Sequence, residues 1–212
     1  DDSESRGLGD VYKRQDGVDD DAVVAGYSFQ IDLNSSFTGE DSLDVSLDAG
    51  NAGTEGIAEF DGNGGGDGLT VDGVSYTFPI GEKITAIVGD NTDGSALFTT
   101  ACVYGGPGNM LDDCGNVNAG ITGGETTIGA SYEVGGGVTA AFGAQTDNTS
   151  VFTDESLDAY ALNVAYTADS YGLSLTYGVV ENAALTEENK YTALNAYYTP
   201  EGSLPSISVG YE

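Results

Sequence analysis

The sequence contains no histidine, no tryptophan, one methionine, two cysteines and only five lysine and arginine residues, against 35 acidic residues. Without histidine, a nucleophilic serine or cysteine lacks its usual base, and neither a Gly-x-Ser-x-Gly turn nor a phosphate-binding loop occurs. The net charge of −30 excludes nucleic acid as a partner, because phosphate binding needs clustered basic side chains. We therefore expect neither an enzyme nor a nucleic-acid-binding protein.

The sequence also lacks an apolar run of eighteen residues, so it predicts no transmembrane helix. Residues 1–15 show no strand pattern and hold three of the five basic residues. They resemble a translated sequencing adapter, and we expect them to be non-native; a native disordered arm is the alternative. Because no signal peptide is present and a strand pattern is still running at residue 212, we expect residues 16–212 to be one piece of a longer protein.

The sequence is rich in glycine and tyrosine, and its apolar and polar residues alternate. It has 33 glycines and 13 tyrosines, a composition typical of strands and turns rather than helices. Apolar and polar residues alternate with a period of two in about ten segments, as expected where the two faces of a sheet meet different environments. These segments are 27–34, 43–49, 74–78, 84–88, 128–134, 138–144, 160–166, 173–179, 194–198 and 207–211.

The connections alternate in length. Short links are expected around 37–40, 79–82, 135–137, 168–171 and 200–205, and longer loops at 51–68, 90–125, 146–156 and 181–189. Turns on one rim and loops on the other are typical of an up-and-down barrel, whereas a Greek-key sandwich has no reason to show them. The strand runs, of roughly 8–11 residues, also match the length of a tilted strand that crosses a bilayer.

Aromatic residues lie near the predicted short turns, as an interfacial girdle requires; the alternative is that tyrosine and phenylalanine simply favour strands. They are Phe37, Phe78, Tyr132, Tyr166, Tyr171 and Tyr198. The predicted fold class is all-β, a partial antiparallel up-and-down transmembrane β-barrel.

Five acidic residues are interpreted as lying on the polar phase of strands, and in a barrel that face lines the lumen. They are Asp32, Asp44, Asp48, Glu133 and Asp158. An acidic lumen favours cations. In a soluble sheet the same side chains would face water.

The long loop 90–125 contains both cysteines, Cys102 and Cys114. In an exported protein they predict a disulfide, for which chain-entropy models give about 3 kcal/mol; a free or partner-bound pair is the alternative. A zinc site is not expected without histidine or a third cysteine. The loop is long enough to fold inward and narrow a pore, or to reach over the rim.

Calcium is the one ion that the loops could hold, and no other cofactor is expected. Residues 62–70 match one calcium-binding nonapeptide repeat, but a single copy cannot build such a site, so a flexible loop is predicted. The acidic runs 19–21 and 112–113 supply oxygen ligands that Ca²⁺ accepts. A solvated acidic surface is the usual role of such runs, and we predict no metal site.

Two stretches resemble cyanobacterial outer-membrane porins of the carbohydrate-selective (OprB-like) porin group: residues 18–43, with Asp19-Asp20-Asp21 and Gly26-Tyr27-Ser28-Phe29-Gln30, and residues 76–84, Tyr-Thr-Phe-Pro-Ile-Gly-Glu-Lys-Ile. The resemblance implies a sixteen-stranded, trimeric barrel, of which this chain would hold about ten strands. It also implies a signal and a surface-layer-homology domain that binds the cell wall, neither of which is present here. Ions, inorganic solutes or sugars would pass through the barrel, and iron uptake is implied for some members.

Together these patterns predict an outer-membrane porin, a passive diffusion channel with an acidic, cation-favouring lumen that contacts outer-membrane lipid. The alternative is a secreted or surface-anchored β-rich structural protein, adhesin or surface-layer protein.

Overall fold

A computed structural model of the chain describes residues 28–50, 66–103, 119, 121, 124–149, 151, 153, 157–181, 188–202 and 204–212. This part of the chain forms ten strands and contains no helix long and apolar enough to span a membrane. The strands are β1 (Ser28–Ser35), β2 (Ser42–Gly50), β3 (Gly66–Ile80), β4 (Ile84–Thr92), β5 (Gly124–Gly135), β6 (Val138–Thr146), β7 (Ala159–Thr167), β8 (Tyr171–Glu181), β9 (Glu188–Tyr198) and β10 (Ile207–Tyr211).

The strands pair in sequence order from β1 to β10, each antiparallel to the next. This confirms the predicted all-β, antiparallel up-and-down fold. The sheet is not closed in the described residues, since β1 and β10 end the order. The chain divides into two compact units, Asp1–Leu33 with Ser46–Asp72, and Asn34–Val45 with Gly73–Glu212. The second unit contains β4 to β10.

The lengths of the connections between the strands mostly agree with the prediction. Residues 81–83, 136–137 and 168–170 form short links, whereas 93–123 and 147–158 form long ones. The alternation is not strict along the whole chain, because the connection 199–206 is longer than the connection 182–187 that precedes β9.

Two strand starts differ from the prediction. The third strand begins at Gly66, where a loop was expected up to residue 68 and a strand only from residue 74. The predicted flexible loop 62–70 is therefore wrong for residues 66–70, while 62–65 lie outside the described residues. Strand β9 likewise begins at Glu188 rather than at residue 194, and its first residues pair with the end of β8.

The turn between β5 and β6 shows why glycine occurs where it does. Gly135, Gly136 and Gly137 have φ angles of 107°, 63° and 83°, in the left-handed region that other residues rarely adopt. A two-residue hairpin loop needs such angles so that its twist matches that of the strands. The run of three glycines therefore fixes this hairpin.

The turn 36–41 between β1 and β2 is organised around one carboxylate. Asp41 is buried and accepts hydrogen bonds from the Ser36 hydroxyl at 2.7 Å, from the Thr38 hydroxyl at 2.6 Å and from the Thr38 amide at 2.7 Å. The Tyr76 hydroxyl donates to its other oxygen at 2.6 Å. These donors hold the pKa of Asp41 far below its ordinary value, and Thr38 makes the largest contribution. They do so because they stabilise the ionised form.

We expect Asp41→Asn to lower the urea midpoint of the protein at pH 7, because the amide cannot accept from all of these donors at once. Since the folded pKa is lowered, the stabilisation is complete above about pH 4, the ordinary aspartate value, and is lost as the pH falls through the folded pKa. The difference between wild type and variant should therefore shrink below about pH 4. Glu40→Gln, an exposed neighbour, is the control, and equal effects of both variants at pH 7 would contradict the prediction.

Candidate functional site

The sheet from β4 to β10 has its polarity reversed relative to a soluble protein. In β7, the large apolar side chains are exposed, Leu162 at 54% and Val164 at 51%, whereas Asn163 between them is only 1% exposed. Strand β8 repeats this arrangement, with Leu173 and Leu175 exposed and Thr176 buried. A soluble sheet buries its apolar face, because each large apolar side chain removed from water contributes about 1.5–3 kcal/mol. In this sheet the apolar face is exposed and the polar face is covered.

The polar face is covered by part of the long β4–β5 connection, namely residues 93–103 with Ala119 and Ile121; we call these residues the covering segment. Ala101, Ala119 and Ile121 are almost completely buried. The sequence left open whether loop 90–125 folds inward or reaches over the rim. In the described residues it lies on the polar face of the sheet.

The covering segment binds the sheet through alternate amides. The N–H groups of three residues, Thr99, Ala101 and Val103, donate to side-chain oxygens on three different strands. The acceptors are Asn163 Oδ1 of β7 at 3.0 Å, Ser174 Oγ of β8 at 2.8 Å and Ser208 Oγ of β10 at 3.0 Å. The segment therefore crosses these strands, with a γ-turn in which the Cys102 amide donates to the Thr100 carbonyl at 2.9 Å.

Asn163 is the most extensively bonded of these anchors. While its oxygen accepts from the Thr99 amide, its amide group donates to the Thr99 carbonyl at 3.2 Å and to the Thr176 hydroxyl at 2.8 Å. Asparagine is depleted in strands, and a buried amide is tolerated only when it is hydrogen-bonded. Its position in the middle of β7 is explained by this contact with the covering segment.

Glycines on the polar face allow the covering segment to approach closely. A Cβ atom built on Gly143 of β6 would lie 1.9 Å from the Gly94 carbonyl oxygen, and one on Gly178 of β8 would lie 2.8 Å from the Ala119 carbonyl oxygen. Glycine inside a strand often marks such a close backbone approach.

A second set of contacts holds Thr92, the residue directly before the covering segment, and the first residues of the segment. The Thr127 hydroxyl donates to the Thr92 carbonyl at 3.0 Å, and the Gln145 amide group donates to the same carbonyl and to Thr127 Oγ1. Ser95 and Ile121 then bond reciprocally, through the Ile121 amide to Ser95 Oγ at 2.5 Å and the Ser95 amide to the Ile121 carbonyl at 3.3 Å. The two ends of the covering segment are thereby joined.

None of these contacts with the sheet was predicted from the sequence. The residues that make them are Thr127, Gly143, Gln145, Asn163, Ser174, Gly178 and Ser208. The available signal was the combination of glycine, asparagine, serine and threonine at alternate positions of otherwise apolar strands. It indicated a polar face, but not what covers that face.

Four of the five predicted pore-lining acids lie in strands, and hydrogen bonds hold three of them. Asp32 accepts from Ser46 at 2.7 Å, Asp48 from Thr70 at 2.6 Å, and Asp44 from Asn34 at 2.6 Å. Glu133 is exposed near the turn end of β5. That these side chains line a pore stays a prediction.

Asp158 occupies a different position from the other four. It precedes β7 rather than lying in it, and it shares the phase of the exposed residues Tyr160 and Leu162. Its carboxylate accepts from the hydroxyl of Thr146 at 2.5 Å, and Thr146 is in phase with the exposed Phe142 of β6. The strand alternation therefore does not place Asp158 on the polar face.

The predicted disulfide and the acidic loop runs fall partly or wholly outside the described residues. Cys102, the cysteine that the structure describes, is half-buried and is not a free thiol. Cys114 and the runs 19–21 and 112–113 lie outside the described residues. Within the described part of the chain, no three His, Cys, Asp or Glu side chains are grouped so as to hold a metal ion.

Acidic side chains also mark the loop ends of β5 and β6. The Asn148 amide donates to Glu125 at 2.7 Å, and its side chain donates to Asp90 at 2.9 Å. Next to it, the hydroxyl and amide of Thr149 donate to Asp147 at 2.7 and 2.8 Å and hold the pKa of Asp147 below its usual value. Asp90, Glu125 and Asp147 together form an acidic rim at this end of the strands.

The predicted aromatic residues lie at the turn ends of the strands. Tyr171 pairs with Tyr198 across β8 and β9, and its ring lies 5.7 Å from that of Tyr166. Tyr132, Tyr171 and Tyr198 are all exposed on the apolar face. Their position is compatible with an interfacial girdle, which stays a prediction. No family model, curated protein or solved structure matches the chain.

Proposed function

We propose that this chain is part of an outer-membrane porin, a passive diffusion channel for ions and small hydrophilic solutes that favours cations. One observation carries the proposal. The sheet from β4 to β10 exposes its large apolar side chains and covers its polar face with a hydrogen-bonded segment of the same chain.

The exposed apolar face supports a lipid environment. Leu162, Val164, Leu173, Leu175 and Leu194 are each about half exposed, on three neighbouring strands. A continuous apolar surface of this kind is unfavourable in water, whereas the outer surface of a membrane barrel requires it. The tyrosines at the turn ends would then lie at the level of the lipid headgroups.

The polar face supports an aqueous lumen. In a transmembrane barrel the side chains opposite the lipid face line the interior, so the covering segment would lie inside the channel and narrow it. With 35 acidic and five basic residues, the field of the protein attracts cations and repels anions. Asp32, Asp44, Asp48 and Glu133 are the acids proposed to line this interior.

An open sheet cannot persist in lipid, because the unpaired backbone groups of its edge strands would have no hydrogen-bond partners. We therefore propose that further strands of the complete protein pair with β1 and β10. A homotrimer and attachment to the cell wall through a separate domain rest on the resemblance to OprB-like porins. We also propose that Cys102 pairs with Cys114.

The experiment is conductance of the complete protein in planar lipid bilayers, with membrane fractionation and migration on detergent gels before and after boiling. We expect recovery in the outer membrane, a mobility shift on boiling and stepwise currents with a reversal potential that favours cations. Recovery in the soluble fraction without a mobility shift would instead support a surface-anchored or secreted β-rich protein. Currents that favour anions would refute the cation preference but not the channel.

A further inference from the structure

We infer that residues 94–103 form an uncharged wall of the channel constriction, which selects solutes by size and hydration rather than by charge. This inference rests on the proposed function. It places the charges that favour cations away from the constriction.

The covering segment carries no charge beyond its first residue. After Asp93 the sequence is Gly-Ser-Ala-Leu-Phe-Thr-Thr-Ala-Cys-Val, residues 94–103. The sheet beneath is also uncharged: on the polar phase of β4 to β10, charged side chains occur in the described residues only at Glu125 and Glu133, near opposite ends of β5. Among the described residues of β4 to β10, no acidic or basic side chain therefore lies on this face beside the middle of the segment.

Most of its backbone amides are already hydrogen-bonded, to the sheet or within the segment. The amides of Thr99, Ala101 and Val103 and the Thr99 carbonyl are bonded to side chains of β7, β8 and β10. The Ala96 and Phe98 amides are bonded within the segment, to the carbonyls of Asp93 and Ser95. Ala96 and Val103 are exposed, so much of what the segment presents away from the sheet is apolar.

A neutral wall of this kind offers an ion no charged group in place of its hydration shell. Filters that select by charge use rings of charged side chains, and an uncompensated loss of hydration is costly. We expect inorganic ions to pass with their hydration shells and small uncharged solutes to pass by size. The wall holds no fixed counter-charge for a carboxylate or phosphate solute.

The test measures the K⁺ to Cl⁻ permeability ratio of the complete protein in planar bilayers at about 0.01 M and about 1 M salt, where the Debye length is about 30 and 3 Å. Distant acids are screened at high salt, so the wild-type ratio should fall towards one. Ala96→Lys places a charge on the exposed side of the segment and should shift the permeability ratio about tenfold towards Cl⁻. This shift should persist at high salt, because the charge is close to the passing ion.

Two control variants separate charge from bulk and from position. Ala96→Gln adds length without charge and should keep the wild-type ratio. Leu204→Lys adds the same charge in the β9–β10 turn, where Leu204 is exposed, and should act only at low salt. Retention of the boiling-dependent mobility shift shows that each variant has folded.

The contradicting results are distinct from failure of the proposed function. A wild-type ratio that stays unchanged up to about 1 M salt would overturn the inference, as would equal ratios for Ala96→Lys and Ala96→Gln. In either case the channel itself would stand. Absence of any conductance from folded wild-type protein would reject the proposed function, and the inference with it.

Discussion

Replacing Gly143 with alanine is expected to lift the covering segment off the sheet. The added methyl group would lie 1.9 Å from the carbonyl oxygen of Gly94 and 2.9 Å from its carbonyl carbon. These are backbone atoms, which cannot rotate away as the end of a flexible side chain could. Overpacking in a well-packed region costs about 1–3 kcal/mol, and here displacement of the segment is the available relief.

Displacement should be visible at the three amides that anchor the segment. We expect hydrogen exchange at Thr99, Ala101 and Val103 to become faster by roughly 5- to 150-fold, the range that corresponds to about 1–3 kcal/mol. In the proposed channel the same variant should show a larger single-channel conductance in planar bilayers, because the segment would no longer narrow the lumen.

Gly68→Ala is the matched control, since a Cβ atom on Gly68 of β3 meets nothing within 4 Å and its φ angle is not in the left-handed region. This variant should exchange at the wild-type rate at all three amides. Unchanged exchange in Gly143→Ala would mean that the close contact between β6 and residue 94 does not hold the segment in place. The exchange measurement does not depend on the proposed channel function.

The strands could be predicted because their signal is local. In β7 and β8 the alternation of Leu, Val and Tyr with Ala, Asn, Ser and Thr is read directly from the sequence. The up-and-down order was predicted from the alternation of short turns with longer loops. The start of β3 could not be predicted in this way. Residues 66–68, Gly-Asp-Gly, have low strand propensity, and pairing in the sheet overrides it.

The path of the covering segment could not be predicted because its contacts are long-range. Thr99 meets Asn163 across 64 positions, Ala101 meets Ser174 across 73, and Val103 meets Ser208 across 105. Nothing in residues 93–103 themselves shows a period that fixes their partners. The glycine at 143 and the asparagine at 163 indicate a close approach to the polar face, but only the folded sheet shows which segment makes it.

The second large effect is expected on stability, when a charge is introduced on the exposed apolar face. Leu162 lies in the middle of β7, opposite Phe142 of β6 and Tyr177 of β8, and is 54% exposed. In a bilayer, Leu162→Arg would place a charge near the midplane, which costs about 2–4 kcal/mol in membrane barrels. In water the same substitution at an exposed position would change stability by only about 0.5 kcal/mol in either direction.

Tyr171→Arg is the positional control for this substitution. Tyr171 is the first residue of β8, at the turn end of the same face, and is also exposed. In lipid an arginine near the interface costs about 0–1 kcal/mol, so the two variants should differ clearly. In water they should behave alike.

The measurement is urea-induced unfolding of the complete protein in phospholipid vesicles, followed by the boiling-dependent mobility shift. We expect Leu162→Arg to lower the stability by about 2–4 kcal/mol, and Tyr171→Arg by no more than about 1 kcal/mol. Equal and small effects, with native protein that becomes more soluble, would show that water or another protein covers this face. The comparison thus tests the lipid environment by the depth dependence of the cost, because only a bilayer distinguishes the middle of the strand from its end.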